Sequence, residues 1–90
     1  MPLGPIGLCI QSKLQLAFAP SRLEVIDESF RHQGHAGARP EGETHFRVKV
    51  QAEAFRGQSR LAQHRLINAA LCDLMGKPVH ALAIESAVPD

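Results

Sequence analysis

The segment 44–51 alternates between apolar and polar residues, and this pattern constrains the fold more than any other. Phe46, Val48 and Val50 fall on one face of an extended chain, with polar or charged residues between them. Successive side chains of a strand point to opposite faces, so the pattern predicts a β-strand with one buried and one wet face. A chain of 90 residues has room for one hydrophobic core. We therefore expect a single domain over residues 1–90.

Helical and extended patterns flank this strand. Apolar residues recur every three or four positions over residues 5–18, which predicts a helix. Residues 23–27 and 79–86 are rich in Leu, Val and Ile and predict two further strands. The segment 59–75 again has a helical period, with Gly76 placed to cap its end. The predicted apolar face of this second helix consists of Leu61, His64, Ile67, Leu71, Leu74 and Met75.

Residues 31–43 interrupt these patterns. They include three glycines, Pro40 and two histidines, and no aliphatic side chain larger than that of alanine. This composition predicts a flexible loop between the first two strands. A loop of about a dozen residues is longer than a tight hairpin needs, and loops of this length are often functional.

Composition and motifs argue against an enzyme or a membrane protein. The sequence contains no P-loop, no GxGxxG fingerprint, no CxxC pair and no glycines of a nucleophile elbow around its serines. No apolar run approaches the roughly 20 residues that a membrane-spanning helix needs. The first ten residues lack the positive charge of a secretory leader. We expect a soluble cytoplasmic protein without a cleaved leader.

The two cysteines, Cys9 and Cys72, lie far apart in the sequence among apolar neighbours. Cysteine behaves as a small hydrophobic residue in such surroundings. We therefore predict two buried, reduced thiols rather than a disulfide or a paired metal site, which agrees with a cytosolic compartment.

Histidine is unusually frequent, with five residues in the chain. Imidazole binds zinc, iron and copper, and it replaces thiolate in some iron–sulfur centres. His32 and His35 lie in the predicted loop within reach of a shared ion, and His80 opens the last strand. His45 is placed on the wet strand face, and His64 is expected to be half-buried on its helix. The spacing matches no standard zinc motif, so ligation and an ordinary surface role both stay open.

Five short segments stand out along the chain, and they are Leu23–Ser29, Glu43–Val48, Phe55–Gly57, Gln63–Arg65 and Val79–Ile84. Their order and spacing resemble the BolA family of small α/β proteins. The resemblance implies a three-stranded sheet covered by helices in the order α-β-β-α-α-β, similar to the type II KH fold. It also implies that the 59–75 region is split into a short and a longer helix.

The resemblance implies a role in iron–sulfur cluster trafficking, or in iron or redox sensing, as a non-catalytic partner of a monothiol glutaredoxin. In that family the histidine that matches His80 is a ligand of a 2Fe–2S cluster, with the glutaredoxin cysteine and a bound glutathione thiol. A second ligand comes from the loop, which here contains no cysteine, so His32 or His35 is expected, with His32 slightly preferred. No cluster is expected in the isolated chain, which should be a monomer or weak homodimer.

A second hypothesis is double-stranded DNA binding, because some bacterial BolA proteins are regarded as DNA-binding regulators. No acidic residue lies between Glu53 and Asp73, whereas three arginines do. With two cations of the neighbouring strand they could neutralise a few phosphates. The turn before the helix holds Gly57 alone rather than the GxxG of KH domains. An adaptor without metal is the third hypothesis. The predicted DNA-binding residues are Arg47, Lys49, Arg56, Arg60 and Arg65.

Overall fold

The computed structural model describes residues 3–29, 43–76 and 79–90 of the chain. Within these ranges the chain forms two α-helices and three strands, with a 3-10 turn at Glu53–Phe55 between the second strand and the second helix. The elements are α1 (Pro5–Phe18), β1 (Arg22–Asp27), β2 (His45–Gln51), α2 (Arg60–Ala70) and β3 (Ala81–Ala87). The predicted α+β class with a three-stranded sheet is confirmed.

The strand β2 lies at the centre of the sheet. It pairs antiparallel with β1, where Asp27 faces Phe46, and parallel with β3, where His45 faces Ala81. Parallel neighbours need a crossover connection, and α2 supplies it. The end of β1 and the starts of β2 and β3 therefore meet at one edge of the sheet.

The hydrophobic core lies between the helices and one face of the sheet. The alternation predicted for β2 is confirmed, since its apolar residues are buried and Lys49 is exposed. Burial of each large apolar side chain contributes about 1.5–3 kcal/mol. The buried core contains Ile10 and Leu14 of α1, Phe46, Val48 and Val50 of β2, and Ile67 and Leu71 from the α2 region. We call the opposite side of the sheet, which carries Arg47 and Lys49, the open face.

The second helix differs from its prediction. Ser59 caps its start, accepting the N–H of Ala62 at 3.1 Å, but the α-helix ends at Ala70 and residues 71–74 form turns. The Leu71 N–H is shared between two carbonyl oxygens at 3.2 Å, a tightening typical of a helix end. The split of 59–75 into two helices is thus not observed.

Leu61, His64 and Gly76 provide further comparisons with the predicted helix. Leu61 is 60% exposed and does not join the core, whereas His64 is half-buried as expected. Gly76 does not cap the α-helix. Its φ is +86°, and its N–H donates to the Val79 carbonyl at 2.7 Å within the turn before β3.

The prediction that both cysteines are buried is wrong. Both thiols are free, but Cys72 is exposed and Cys9 only half-buried. Cys72 follows the end of α2 at Ala70, so the helical period that placed it among core residues no longer applies at that position.

Of the predicted loop that carries His32 and His35, the structure describes only Glu43. Both histidines lie outside the described residues, as does most of the predicted loop 31–43. Within the described ranges, no helix is long and apolar enough to cross a membrane.

Candidate functional site

Two histidines lie together at the edge where β2 and β3 begin. His45 is the first residue of β2, and His80 immediately precedes β3. Their ring centroids are 6.4 Å apart, and the ring planes differ by 22°, so the rings are stacked. The parallel register causes this proximity, because it places Ala81 opposite His45 and brings the preceding residue alongside. The sequence pattern placed His45 on the wet face of its strand and indicated no functional role for it.

The backbone of His80 is held by a single carbonyl group. The Thr44 carbonyl accepts the His80 N–H at 2.7 Å and the Ala81 N–H at 3.2 Å. The His80 side chain is exposed, and within the described ranges its ring nitrogens have no hydrogen-bond partner. A fixed backbone with an accessible imidazole is a suitable arrangement for a metal ligand.

The residues on both sides of the undescribed segment 30–42 are hydrogen-bonded to one another. The Ser29 hydroxyl oxygen, 2% exposed as a residue, accepts the N–H of Thr44 at 2.9 Å and that of His45 at 3.1 Å. The Asp27 carboxylate accepts the N–H of Ser29 at 2.9 Å and that of Glu43 at 3.1 Å. We call Asp27, Ser29, Glu43 and Thr44 the clasp.

The clasp joins the candidate site to both the sheet and α1. The hydroxyl oxygen of Thr44, which is fully buried, lies 2.8 Å from Nδ1 of His45 and 3.4 Å from the Ser29 hydroxyl. A Glu43 carboxylate oxygen accepts the Gly7 N–H at 2.9 Å in the first turn of α1, where the N-cap Gly4 has no side chain to do so. The clasp therefore gives a structural role to the polar residues of two segments on which the family resemblance rested, Leu23–Ser29 and Glu43–Val48.

A shallow depression of about 400 Å³ borders the His45 side of the site. Its lining includes Glu28, His45 and Arg47. Among the described residues, no three His, Cys, Asp or Glu side chains lie close enough together to hold a metal ion.

The cations of the open face are paired with carboxylates. Arg47 binds the largely buried Glu28 at 2.9 Å and Glu85 at 3.0 Å, and Lys49 lies 3.8 Å from Glu24. Hydrogen bonds to Glu28 and then to Glu85 raise the pKa of Arg47 above its ordinary value. These pairs reduce the positive potential that the open face presents to a phosphate backbone.

The arginines near α2 lie on the other side of the sheet. Arg56 pairs with Glu53 at 3.0 Å and also donates to the Pro89 carbonyl at 2.9 Å. The hydrogen bond between Arg56 and Glu53 raises the pKa of Arg56 and lowers the pKa of Glu53. Arg60 and Arg65 are exposed on α2 and form no ion pair within the described part of the chain. The five predicted DNA-binding residues therefore do not share one surface.

Comparison with known proteins identifies relatives over almost the whole chain. Residues 14–90 match the family model described as BolA-like protein. The chain is 47% identical over 87 residues to BolA-like protein 1 of Homo sapiens, and the match covers 97% of this chain and 61% of that protein. It is 42% identical over 77 residues to the DNA-binding transcriptional regulator BolA of Escherichia coli (strain K12), covering 86% and 70% of the two chains. The chain thus spans about three fifths of the length of the human relative.

A solved structure agrees with the fold. The BolA domain of SufE1 from Arabidopsis thaliana superposes with a TM-score of 0.88 at 40% sequence identity. The superposition covers 98% of this chain and 96% of that domain.

Proposed function

Because this chain belongs to the BolA family, we propose that it is a non-catalytic partner of a monothiol glutaredoxin and shares a 2Fe–2S cluster with it. His80 would supply one ligand, and His32 or His35 the other. The observation that carries the proposal is the exposed imidazole of His80 on a backbone fixed by the Thr44 carbonyl. Iron–sulfur cluster trafficking, or iron or redox sensing, is the corresponding cellular role.

The donor chemistry suits such a cluster. Imidazole replaces thiolate on one iron of Rieske-type 2Fe–2S centres and raises their reduction potential. A cluster held by two imidazoles and two thiolates would supply one-electron chemistry or transferable iron and sulfur. The protein's own part is to present neutral imidazole at a fixed position, since a ligating histidine must be unprotonated at the metal-facing nitrogen.

The clasp supports a contribution from the loop. Ser29, from which the loop departs, is linked to His80 through Thr44 by two consecutive hydrogen bonds. Three residues of extended chain span at most about 10 Å and six at most about 21 Å. His32 and His35 follow Ser29 by three and six residues. The preference for His32 rests on its spacing after the Asp27–Ser29 stretch, which is the spacing of the family.

The test is visible circular dichroism of a glutathione-containing 2Fe–2S glutaredoxin, recorded with and without this protein. We expect a spectral change that is lost in His80→Ala and in one of His32→Ala or His35→Ala. His64→Ala is the matched control, because His64 is a half-buried histidine on α2. An unchanged spectrum on adding the wild-type chain would falsify the cluster role.

DNA binding is a second candidate function, favoured by one observation of the structure and one of the relatives. Arg60 and Arg65 are exposed without an ion pair in the described ranges, and the E. coli relative is named a DNA-binding transcriptional regulator. Electrophoretic mobility shift with duplex DNA tests it. We expect the Arg60→Ala/Arg65→Ala double variant to bind more weakly, with Arg47→Ala as the control whose guanidinium is already paired. Equal binding by all three proteins would exclude α2 as the interface.

A further inference from the structure

We propose that His45 is a positioning residue for His80: its ring stacks on the His80 imidazole and restricts the orientations in which that ligand meets iron. The inference rests on the proposed cluster role and adds to it a residue outside the ligand set. It concerns the ring contact between two histidines that are 35 positions apart in the numbering.

The stacking geometry supplies the first reason. The centroid separation of 6.4 Å lies within the 4.5–7 Å range of interacting aromatic pairs, and a 22° difference in plane is close to parallel. A solvent-exposed histidine at a strand end otherwise exchanges among rotamers. A neighbouring ring on one side removes the orientations that would overlap with it.

The shared anchor supplies the second reason. The Thr44 hydroxyl contacts Nδ1 of His45, while the Thr44 carbonyl holds the backbone N–H of His80. One buried residue therefore contacts the His45 ring and holds the His80 backbone. Thr44 is itself held by the Ser29 hydroxyl, so the pair is supported from within the fold rather than by solvent-exposed groups.

The functional consequence is preorganisation. Residues that orient a metal ligand without touching the metal typically change affinity by about 10- to 100-fold when removed. Because the contact is between two near-parallel rings, a benzene ring at position 45 should preserve it, whereas a methyl group should not. This requirement separates positioning from ligation, since phenylalanine has no nitrogen donor.

The experiment compares His45→Ala, His45→Phe, His80→Ala and the control His64→Ala. The first readout is NMR ¹³C relaxation of the His80 ring in the isolated protein, together with the chemical shift of the proton on its Cδ2 atom. We expect the His80 ring to become more mobile in His45→Ala and to keep wild-type behaviour in His45→Phe and His64→Ala. Thermal unfolding of each variant shows whether the fold is intact.

The second readout is the rate at which the glutaredoxin-shared cluster is lost to an iron chelator. We expect about 10-fold faster loss in His45→Ala and a wild-type rate in His45→Phe. If His45→Ala matches wild type in both readouts while His80→Ala abolishes the cluster signal, the positioning role is overturned and the proposed function stands. If His45→Phe fails as His45→Ala does, positioning by stacking is likewise overturned. If His80→Ala leaves the cluster signal unchanged, the proposed function fails, and the ring relaxation alone still reports the contact.

Discussion

Around His80, polar side chains are buried and bonded to residues far away in the sequence, whereas on α2 the polar contacts are local and exposed. The Ser29 hydroxyl reaches Thr44 over 15 positions, while Ser59 caps a helix three positions away and Arg56 pairs three positions back with Glu53. A side chain that ligates a metal must be held in one orientation. A cation that binds a phosphate backbone electrostatically has no such requirement. The buried, long-range hydrogen bonds near His80 are therefore suited to holding a metal ligand. The local, exposed contacts of α2 are suited only to electrostatic binding.

The largest difference in stability is expected between variants that remove the hydroxyl groups of Ser29 and Ser59. Ser29→Ala should lower the free energy of unfolding by about 2–3 kcal/mol, because it removes the acceptor of two N–H groups in a buried site. Ser59→Ala removes an exposed N-cap and should cost about 1 kcal/mol. Urea denaturation of both variants measures the difference. Equal losses would show that the clasp stabilises the fold no more than a helix cap does.

A smaller effect is expected where the clasp meets α1. A Cβ atom at Gly4 would lie 2.4–2.8 Å from the Glu43 carboxylate atoms, so the flexible end of that side chain must move away. Gly4→Ala should therefore break the hydrogen bond to the Gly7 N–H and cost about 1 kcal/mol. Amide exchange at Gly7 should accelerate more in Gly4→Ala than in Ser59→Ala, which should cost a similar free energy at the start of α2. Unaltered exchange in Gly4→Ala would contradict the capping role of Glu43.

Salt dependence of DNA binding sharpens the comparison on the helical side. If α2 is the interface, the logarithm of the binding constant should fall linearly with the logarithm of salt concentration. Arg60→Ala and Arg65→Ala should each reduce the magnitude of that slope by about 1. Arg47→Ala should leave it unchanged, because Arg47 is paired with Glu28 and Glu85 on the opposite side of the sheet. A slope that responds to Arg47 alone would move the interface to the open face.

The smallest effect is expected from the exposed ion pair that joins α1 to the turn after α2. Lys13 binds Asp73 at 2.8 Å, and this hydrogen bond lowers the pKa of Asp73 and raises that of Lys13. The contribution of Asp73 is present above its unfolded pKa of about 4 and is lost as the pH falls through the lower folded value. That of Lys13 is present below about pH 10.4 and is lost as the pH rises through its higher folded value.

Denaturant unfolding of wild type and Asp73→Asn at pH 7 and near pH 2 tests this pair. Wild type should be slightly more stable at pH 7, and the difference should shrink at the acidic pH, where protonation removes the charge of the carboxylate. The effect should be small because pairs in solvent contribute little. A difference that persists unchanged at acidic pH would assign the effect of Asp73 to something other than its charge.

Local patterns predicted the elements well because their causes are local. The alternation of 44–51 predicted β2, and the apolar period of residues 5–18 predicted α1 to the residue. The same reasoning failed beyond Ala70, where the helical period continues in sequence but the chain turns to bring Leu74 and Met75 against the core. Tertiary packing there overrides a local preference, and the burial predicted for Cys72 failed with it.

For the candidate site, the family resemblance predicted His80 and one of two further histidines, His32 or His35, as ligands. His32 and His35 lie outside the described residues, so their part stays a prediction, as do the glutaredoxin partner and the cytoplasmic location. The resemblance also selected the segments that contain the clasp, but it assigned Asp27, Ser29 and Thr44 no task. A signal was available in the sequence, since short polar side chains at both ends of a long loop favour backbone hydrogen bonds there.

Patterns along the chain established α1, the strands, the buried face of β2 and the residue types available as ligands, but not the end of α2. These properties depend on contacts within a few positions and on a period that can be counted along the chain. The contacts of His45 with His80 and of Ser29 with Thr44 became evident in the folded structure alone. Those contacts depend on the parallel register of β2 with β3 and on the antiparallel register of β1 with β2, and a shift of one residue in either would separate them.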